Sequence, residues 1–467
     1  MSSEKSVSIL GAGIAGMSAA VALAEAGFRV QLLERRGYPG GRASSYLHPG
    51  TGEIIDNCQH ALIGCYTNLI GFYRRIGVEQ QIHWTSEMTM IEPGGRRSVL
   101  GPSSLPAPLH GMPKLLSAAA FNWRDKLSLA RAFSAMMRPE AMRESNESLG
   151  AWLRRMKQSE GAMNRFWRLV IASALNAELD TIALPYATKV IRELFMNSAE
   201  AGAMGMSRVP LSQLYAPVEP FLTARGGSVH FNTHVDGAEW REDEKRWRIQ
   251  SRTGDFSSDY LLLALPFEAL GKLLPNLPEV EGREALAAQI SQHVHWPICS
   301  VHLWFDREIT DLEHAVLLDR EVHWMYNQSR LQTGRGGHYI ELVISATRTF
   351  AALERRQAID LALKELAEFF PKVKEAKLEK VALVKEVRAT FGVAPGIDAA
   401  RPHARGPWTN SFLAGDWAQT GWPSTMESAA RSGHLAAEAL AAQAGVSLRV
   451  HEADLKPKGL MRFLPGN

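Results

Sequence analysis

The sequence predicts an α/β fold whose nucleotide-binding domain is assembled from remote parts of the chain. Two segments carry that prediction. Near the start, Gly11-Ala-Gly13-Ile-Ala-Gly16 follows a short apolar run and opens an Ala-rich stretch, with Glu34 and then Gly40-Gly41-Arg42 behind it. Near the end, Phe412-Leu-Ala-Gly415-Asp416 runs into Ser424-Thr-Met-Glu427-Ser-Ala-Ala-Arg-Ser-Gly433. A third observation is the order of patterns between them: a helical block, then strand-like runs. A dinucleotide fold that needs both chain ends points to resident, non-covalently held FAD rather than a diffusing nicotinamide.

Taken in order, Val7 to Leu10 reads as a short buried strand. Ile14 to Ala26 reads as a helix ended by Gly27 in the C′ place, and Phe28 to Glu34 as the returning strand of a βαβ unit. Glu53–Asp56 is a further short strand. Residues 103–218 are expected to be mainly helical, with Ala118–Met137 and Glu147–Ala177 as the longest helices. Strands are expected from Gly226, at Val235–Trp240, Trp247–Ser251, Tyr260–Leu265, Cys299–Phe305, His338–Ile344 and Ala382–Arg388, with a helix over Leu353–Phe370. The predicted organisation is a discontinuous Rossmann-like FAD domain (1–102, 219–272 and 400–445), an inserted mixed-sheet and helical substrate domain (103–218 and 273–399) and a tail (446–467).

The glycines have separate reasons. Gly11 permits the turn after the strand, Gly13 lets backbone approach a pyrophosphate, and Gly16 lets the helix lie close to the sheet. The helix N-terminus at Ile14 and Ala15 offers unpaired N–H groups and partial positive charge to phosphate. Glu34 is placed to accept from a ribose, with Arg35 beside it. A glycine-rich turn alone would explain the spacing, but not the strand, helix and acid together. Gly41 and Arg42 bring a second backbone stretch and a cation to the cofactor, and Val235 is expected to contribute from the middle of the chain. Gly415 and Asp416 would meet the sugar-alcohol chain. Ser424 and Glu427 match a capping box, so a helix should start there and aim the Thr425–Met426 end at the flavin.

Size and composition set bounds. The 467 residues exceed one compact core. Net charge is +3 with both signs interspersed, and no basic run argues for nucleic acid. Cys58, Cys65 and Cys299 have no metal spacing and fit a reducing cytoplasm. Ser6 to Ala24 could pass for a signal peptide, but the fingerprint glycines explain it better. No other apolar run approaches the ~20 residues of a bilayer span.

Three segments sharpen the assignment: Asp56-Asn-Cys-Gln-His60-Ala-Leu-Ile-Gly-Cys-Tyr-Thr-Asn68, Phe166-Trp-Arg-Leu-Val-Ile-Ala-Ser-Ala-Leu-Asn176, and Gly415-Asp-Trp-Ala-Gln-Thr-Gly-Trp-Pro-Ser-Thr-Met-Glu-Ser-Ala-Ala-Arg-Ser-Gly433. They resemble the hydroxysqualene dehydroxylases of bacterial hopanoid biosynthesis, within the flavin amine oxidase and carotenoid desaturase superfamily. The likeness runs from about residue 6 to about residue 442. It implies an amine-oxidase-like fold and replacement of the hydroxyl of hydroxysqualene by hydride from reduced flavin N5, giving squalene and water. Asn176-Ala-Glu stands where the family often has Asn-Thr-Pro, and Arg168-Leu169 where Glu-Pro is common.

That chemistry needs a proton donor and dry walls. His60 is the first candidate acid, because an imidazole pKa of about 6.5 suits proton delivery near neutrality. Asp56 is the second, as a buried carboxyl can stay protonated. Met204, Met206, Trp296, Trp417 and Trp422 are candidate walls for a polyprenoid chain, although Met and aromatic residues more often build core. Asn176 is a candidate for holding the hydroxyl. No second fingerprint follows a strand, so a separate electron donor is expected. Leu105–Leu116 and the tail Leu455–Leu464 are candidates for peripheral contact with the inner face of the cytoplasmic membrane. Two other activities stay open on the same fold, a carotenoid or polyprenoid desaturase and a flavin amine oxidase. Against the amine oxidase, Thr425 stands where those enzymes often place a tyrosine. A non-enzymatic prenyl escort would have no use for the fingerprint.

Overall fold

The computed structural model describes residues 5–138, 142 and 145–464. The outermost parts of the expected first and last segments, 1–4 and 465–467, lie outside the described residues, as do 139–141, 143 and 144 of the helical block.

A five-stranded parallel sheet forms the nucleotide-binding half. Its strands come from three parts of the chain, in the order Ser228–His230, Arg29–Leu33, Ser6–Leu10, Tyr260–Leu263, Ser411–Leu413. The register sets Leu10 beside Leu33 and Leu263, and Leu263 beside Leu413. Ser6–Leu10 is buried throughout, as a central parallel strand covered on both faces must be. The first helix, Ile14–Glu25, is Ala-rich and buried at every position but its last. It can be so because the last long helix, Met426–Gln443, lies directly against it.

Glycine sets how closely these helices approach. A Cβ on Gly433 would stand 2.2 Å from the Ala15 carbonyl oxygen. Gly433→Ala gains up to ~1 kcal/mol of helix propensity, but the clash with fixed backbone outweighs it. We expect a net loss of about 1–3 kcal/mol, measured as a lower denaturant midpoint. An unchanged midpoint would mean that the helices part without cost.

The second sheet has seven strands, ordered Leu378–Phe391, His295–Phe305, His338–Ser345, Trp324–Asn327, His314–Leu317, Met88–Ile91, Arg97–Leu100. Its two faces differ by residue parity, as strand geometry requires. Cys299, Val301 and Leu303, with Ile340, Leu342 and Ile344, pack with Ala358, Ala362 and Leu366 of the helix Arg355–Phe369. The opposite face carries Ser300, His302, Trp304, Tyr339, Glu341 and Val343, all buried. Here His302 stands opposite Glu341 and Ser300 opposite Val343.

Three expectations need correction. Met88–Ile91 and Arg97–Leu100 belong to the seven-stranded sheet, so the expected boundary at 102 falls too late. The strand Met204–Ser207 interrupts the helical block and pairs with Leu62–Ile63 and Ile82–Thr85. The expected helix over Glu147–Ala177 is broken. It begins as Leu149–Arg155, restarts after the Ser159 cap, passes through a π-helical stretch at Met163–Ile171, and ends at Asn176. Asn176 is left-handed with φ of 46°, a conformation Asn tolerates better than most residues.

Candidate active site

The two glycine loops meet backbone to backbone. Gly40 N donates to Ala12 O at 2.8 Å, and Gly13 and Gly40 form an isolated bridge. Gly11 has φ of +105°, and a Cβ there would stand 2.5 Å from Ala264 O. A Cβ on Gly16 would stand 1.9 Å from Gly11 O, and one on Gly41 would stand 3.1 Å from Gly13 Cα. The helix Ile14–Glu25 has neither a side-chain cap nor an acid in its first turn. Its N–H groups at Ile14 and Ala15 therefore keep their attraction for an anion. Glu34 is buried and accepts from Ala12 N and Arg36 N, both at 2.8 Å, so each oxygen retains a lone pair for a ribose hydroxyl. Thr233 N donates to Glu34 O at 2.8 Å, which brings the start of the strand Val235–Arg241 beside this acid. These groups fit the adenosine and pyrophosphate of FAD.

Arg36, not Arg35, turns inward. It donates to Gly41 O at 2.8 Å, while Arg35 is exposed. Sequence order alone could not separate two consecutive arginines.

At the C-terminal motif, Arg42 pairs with Asp416 rather than standing ready for phosphate. Ser424 Oγ donates to the other Asp416 oxygen. Burial pushes the Asp416 carboxyl up, but Arg42 and Ser424 outweigh it and hold the group below the usual carboxylate range. Gly415 N donates to Ser432 Oγ at 2.9 Å. Arg401, which sequence reasoning missed, is buried and donates to Asp416 O at 3.1 Å and Ala418 O at 2.6 Å, which fixes the loop after Asp416.

The expected capping box is displaced by one residue. Thr425 is the N-cap and accepts from Ser428 N at 3.1 Å, with the helix starting at Met426. Glu427 turns away and accepts from Asn68 N at 3.3 Å and Leu69 N at 2.9 Å. It thereby caps the helix Thr67–Arg75, whose own N-cap Tyr66 has no capping side chain.

Beside Thr425 opens an apolar cavity of about 500 Å³. Cys58, Gln59, Tyr66, Trp422 and Thr425 line it on one side, and Ile298, Tyr326 and Val343 line it from the seven-stranded sheet. Met204 also lines it, and Trp422 is held by Nε1 donating to Asp454 at 3.0 Å.

Several expected site residues lie elsewhere. Met206 and Trp417 are core, Trp417 donating to Leu265 O at 2.9 Å. Trp296 is buried under Arg348, whose guanidinium lies 4.4 Å from the ring centre, and Ile298 takes the wall position instead. Asn176 is consumed structurally. Its Nδ2 donates to Thr390 Oγ1 at 2.8 Å and its Oδ1 accepts from Ala346 N at 2.7 Å. Asp56 accepts from Ser45 Oγ and, at 3.2 Å, from Leu211 N, away from the cavity. Burial nevertheless raises its pKa.

His60 does not line the cavity. Its Nδ1 stands 2.6 Å from Cys58 O, so that nitrogen is the donor. Burial lowers its pKa to about 4, and nearby Arg42 adds to the effect. The ring is therefore neutral at pH 7, which overturns the expectation of a near-neutral imidazolium acid.

The group that sequence reasoning missed is Glu341. It is fully buried, and Gln328 Nε2 donates to its Oε2 at 2.7 Å and to Gln59 Oε1 at 2.6 Å. Among the described residues its Oε1 has no hydrogen-bond partner. Burial raises its pKa to about 8, with Asp56 contributing. Alternation along the strand sets Glu341 on the same face as the cavity residue Val343, so a neutral carboxyl lies one amide away from the wall at Gln59.

The flavin containing amine oxidoreductase family matches residues 14–441. The chain is 27% identical to the 15-cis-phytoene desaturase of Synechococcus elongatus, over 94% of this chain and 96% of that one. It is 25% identical to the 15-cis-phytoene desaturase of Arabidopsis thaliana, over 93% of this chain and 79% of that one. In fold it is similar to the wild-type putrescine oxidase solved with putrescine bound, with a TM-score of 0.72, 15% identity, and 94% and 99% of the two chains covered. With the family match spanning most of its length, this chain belongs to the flavin-containing amine oxidoreductases.

Proposed function

We propose that this chain is an FAD-dependent oxidoreductase of long linear polyprenoids. The observation that carries the reading is the 500 Å³ apolar cavity that ends at Thr425, Trp422 and Cys58, beside the residues that would hold the flavin. Bound FAD supplies a reversible two-electron store. The protein supplies the rest: Arg42 and Asp416 fix the loop at its edge, the Thr425-capped helix end favours negative charge there, and the apolar walls exclude water. Among the described residues, the lining offers no buried carboxylate to anchor an amine, and Thr425 replaces the tyrosine often found in amine oxidases.

Two directions of electron flow fit this cavity. Desaturation is favoured by the similarity to phytoene desaturases over nearly the full chain. Reductive dehydroxylation of hydroxysqualene is the second reading. It is favoured by the Asp56–His60 and Gly415–Gly433 segments and by a protonated carboxyl, Glu341, close to the wall. Electrons would pass to or from a separate carrier, because the described residues form only one nucleotide cradle.

The deciding experiment offers phytoene to oxidised enzyme with an electron acceptor, and hydroxysqualene to anaerobically reduced enzyme. New double bonds in phytoene support desaturation, and squalene supports dehydroxylation. Peroxide release with simple amines and no change in either polyprenoid would refute both.

A further inference from the structure

The cavity mouth carries a surface that its walls do not need. Leu109, Met112 and Leu115 line the cavity on one side, and Ala130, Phe133 and Met137 of the helix Trp123–Met136 and its C-cap line it on another. The same helix continues outward with Trp123 and Leu127, which are 66% and 69% exposed and one turn apart. The C-terminal tail adds Phe463, 70% exposed, and Leu460, 48% exposed.

These elements form one continuous rim. Leu460 N donates to Ala107 O at 2.8 Å, which ties the tail to the loop leading to Leu109. Lys126 Nζ donates to Leu116 O at 2.7 Å, which ties that segment to the long helix. A single exposed Leu on a folded protein needs no explanation, but a cluster around the opening of an apolar cavity does. Among the described residues no helix is long and apolar enough to cross a membrane.

Charge identifies the occupant. The whole chain is nearly balanced, with 52 Lys and Arg against 49 Asp and Glu. Residues 100–138 hold five Lys and Arg against one acid, Asp125, and that acid is buried as a helix cap. The tail 455–464 holds three more and no acid, and of these eight Lys114 pairs with Glu87 and Lys458 with Glu200 while the arginines of the long helix face solvent. Arg124 and Arg131 are exposed, two turns apart, on the flank of the Trp123–Leu127 stripe. Exposed aromatic and leucine side chains flanked by basic residues suit the headgroup region of an anionic bilayer.

We infer that this rim docks on an anionic lipid surface and sets the cavity mouth against the acyl phase from which a polyprenoid enters. The occupant rests on the polyprenoid reading, but the docking itself is measured without turnover. The FAD-loaded full chain is floated with vesicles of phosphatidylcholine alone and of equimolar phosphatidylcholine and phosphatidylglycerol. Binding to the anionic vesicles, weakened by salt, is expected. Arg124→Glu with Arg131→Glu should weaken it by more than tenfold, at about fivefold for each basic residue lost at the surface. Trp123→Ser with Leu127→Ser should weaken it similarly while leaving the flavin spectrum and turnover of detergent-dispersed substrate unchanged.

Equal binding to both vesicle types, or none to either, overturns the inference. So does a concentration-dependent dimer that the Trp123 and Leu127 changes abolish while vesicles stay unbound. Vesicle binding without polyprenoid turnover would instead leave the docking in place and remove the proposed function.

Discussion

Asp416→Ala is expected to give protein that purifies almost free of flavin and unfolds at lower denaturant. Asp416 is 4% exposed, and its two oxygens accept from Arg42 and Ser424. Removing it leaves the Arg42 guanidinium without its counter-charge and Ser424 without its acceptor. Truncating one member of a buried pair typically costs ~3–5 kcal/mol. Arg42 is 28% exposed on its side chain, so water offsets part of this and the lower end, ~3 kcal/mol, is expected. A second loss follows, because a cofactor that binds only the folded state adds to stability by mass action. Asp416→Asn keeps an acceptor for Ser424 and should fall between. The readout is flavin absorbance per polypeptide after purification and again after adding excess FAD. Wild-type occupancy in Asp416→Ala would remove this carboxylate from the cofactor site.

Asp416 also shows what the sequence made legible. The strand and turn that lead to this acid could be read because the motif is local. Its pairing with Arg42, 374 positions away, could not. The same division runs through the molecule. The βαβ unit was readable because strand, turn and helix each demand particular residues within a few positions. The three longest strands of the second sheet were readable from alternation, but not its four shorter strands or the order. The Thr425 cap was missed by one residue because Ser424 and Thr425 are both competent caps and only Ser424 has a Glu three residues on, whereas the demand of Asn68 N and Leu69 N for an acceptor takes Glu427 away. Met204 and Trp422 face the cavity while Met206, Trp296 and Trp417 do not. Identity marks a side chain as apolar, whereas strand parity and the bulge between Trp296 and Ile298 decide which way it points. Glu341 sits in a run of Tyr, Ile, Leu and Val where nothing local distinguishes a buried acid from an exposed one.

Glu341→Gln is expected to make the protein more stable, and increasingly so as pH rises. An unfolded Glu ionises near 4.3, whereas in the fold this carboxyl stays protonated until about pH 8 because burial disfavours its charge. Its folded pKa is raised, so its contribution is complete below the unfolded value and is lost as pH climbs from about 4.3 to about 8. At ~1.4 kcal/mol for each pH unit between those values, the loss is on the order of 5 kcal/mol. The amide keeps an acceptor for Gln328 and cannot ionise, so the variant should lack that decline. His302, opposite Glu341 in the sheet, has the reverse dependence. Burial lowers its pKa to about 3, so its contribution is lost as pH falls below the unfolded value of about 6.5. The two proteins should therefore run parallel below about pH 4.3, where Glu341 is protonated both folded and unfolded, and diverge from there up to about pH 8. Unfolding midpoints that run parallel for both proteins between about pH 5 and 9, a range spanning the change in charge, would show that Glu341 is already ionised at neutrality. Turnover separates the two chemistries. Loss of a hydroxyl needs a proton, so an alkaline decline near pH 8 that Glu341→Gln abolishes along with most of the rate would favour dehydroxylation. Desaturation by the variant at an unchanged rate would confine Glu341 to holding Gln328 and Gln59 in place.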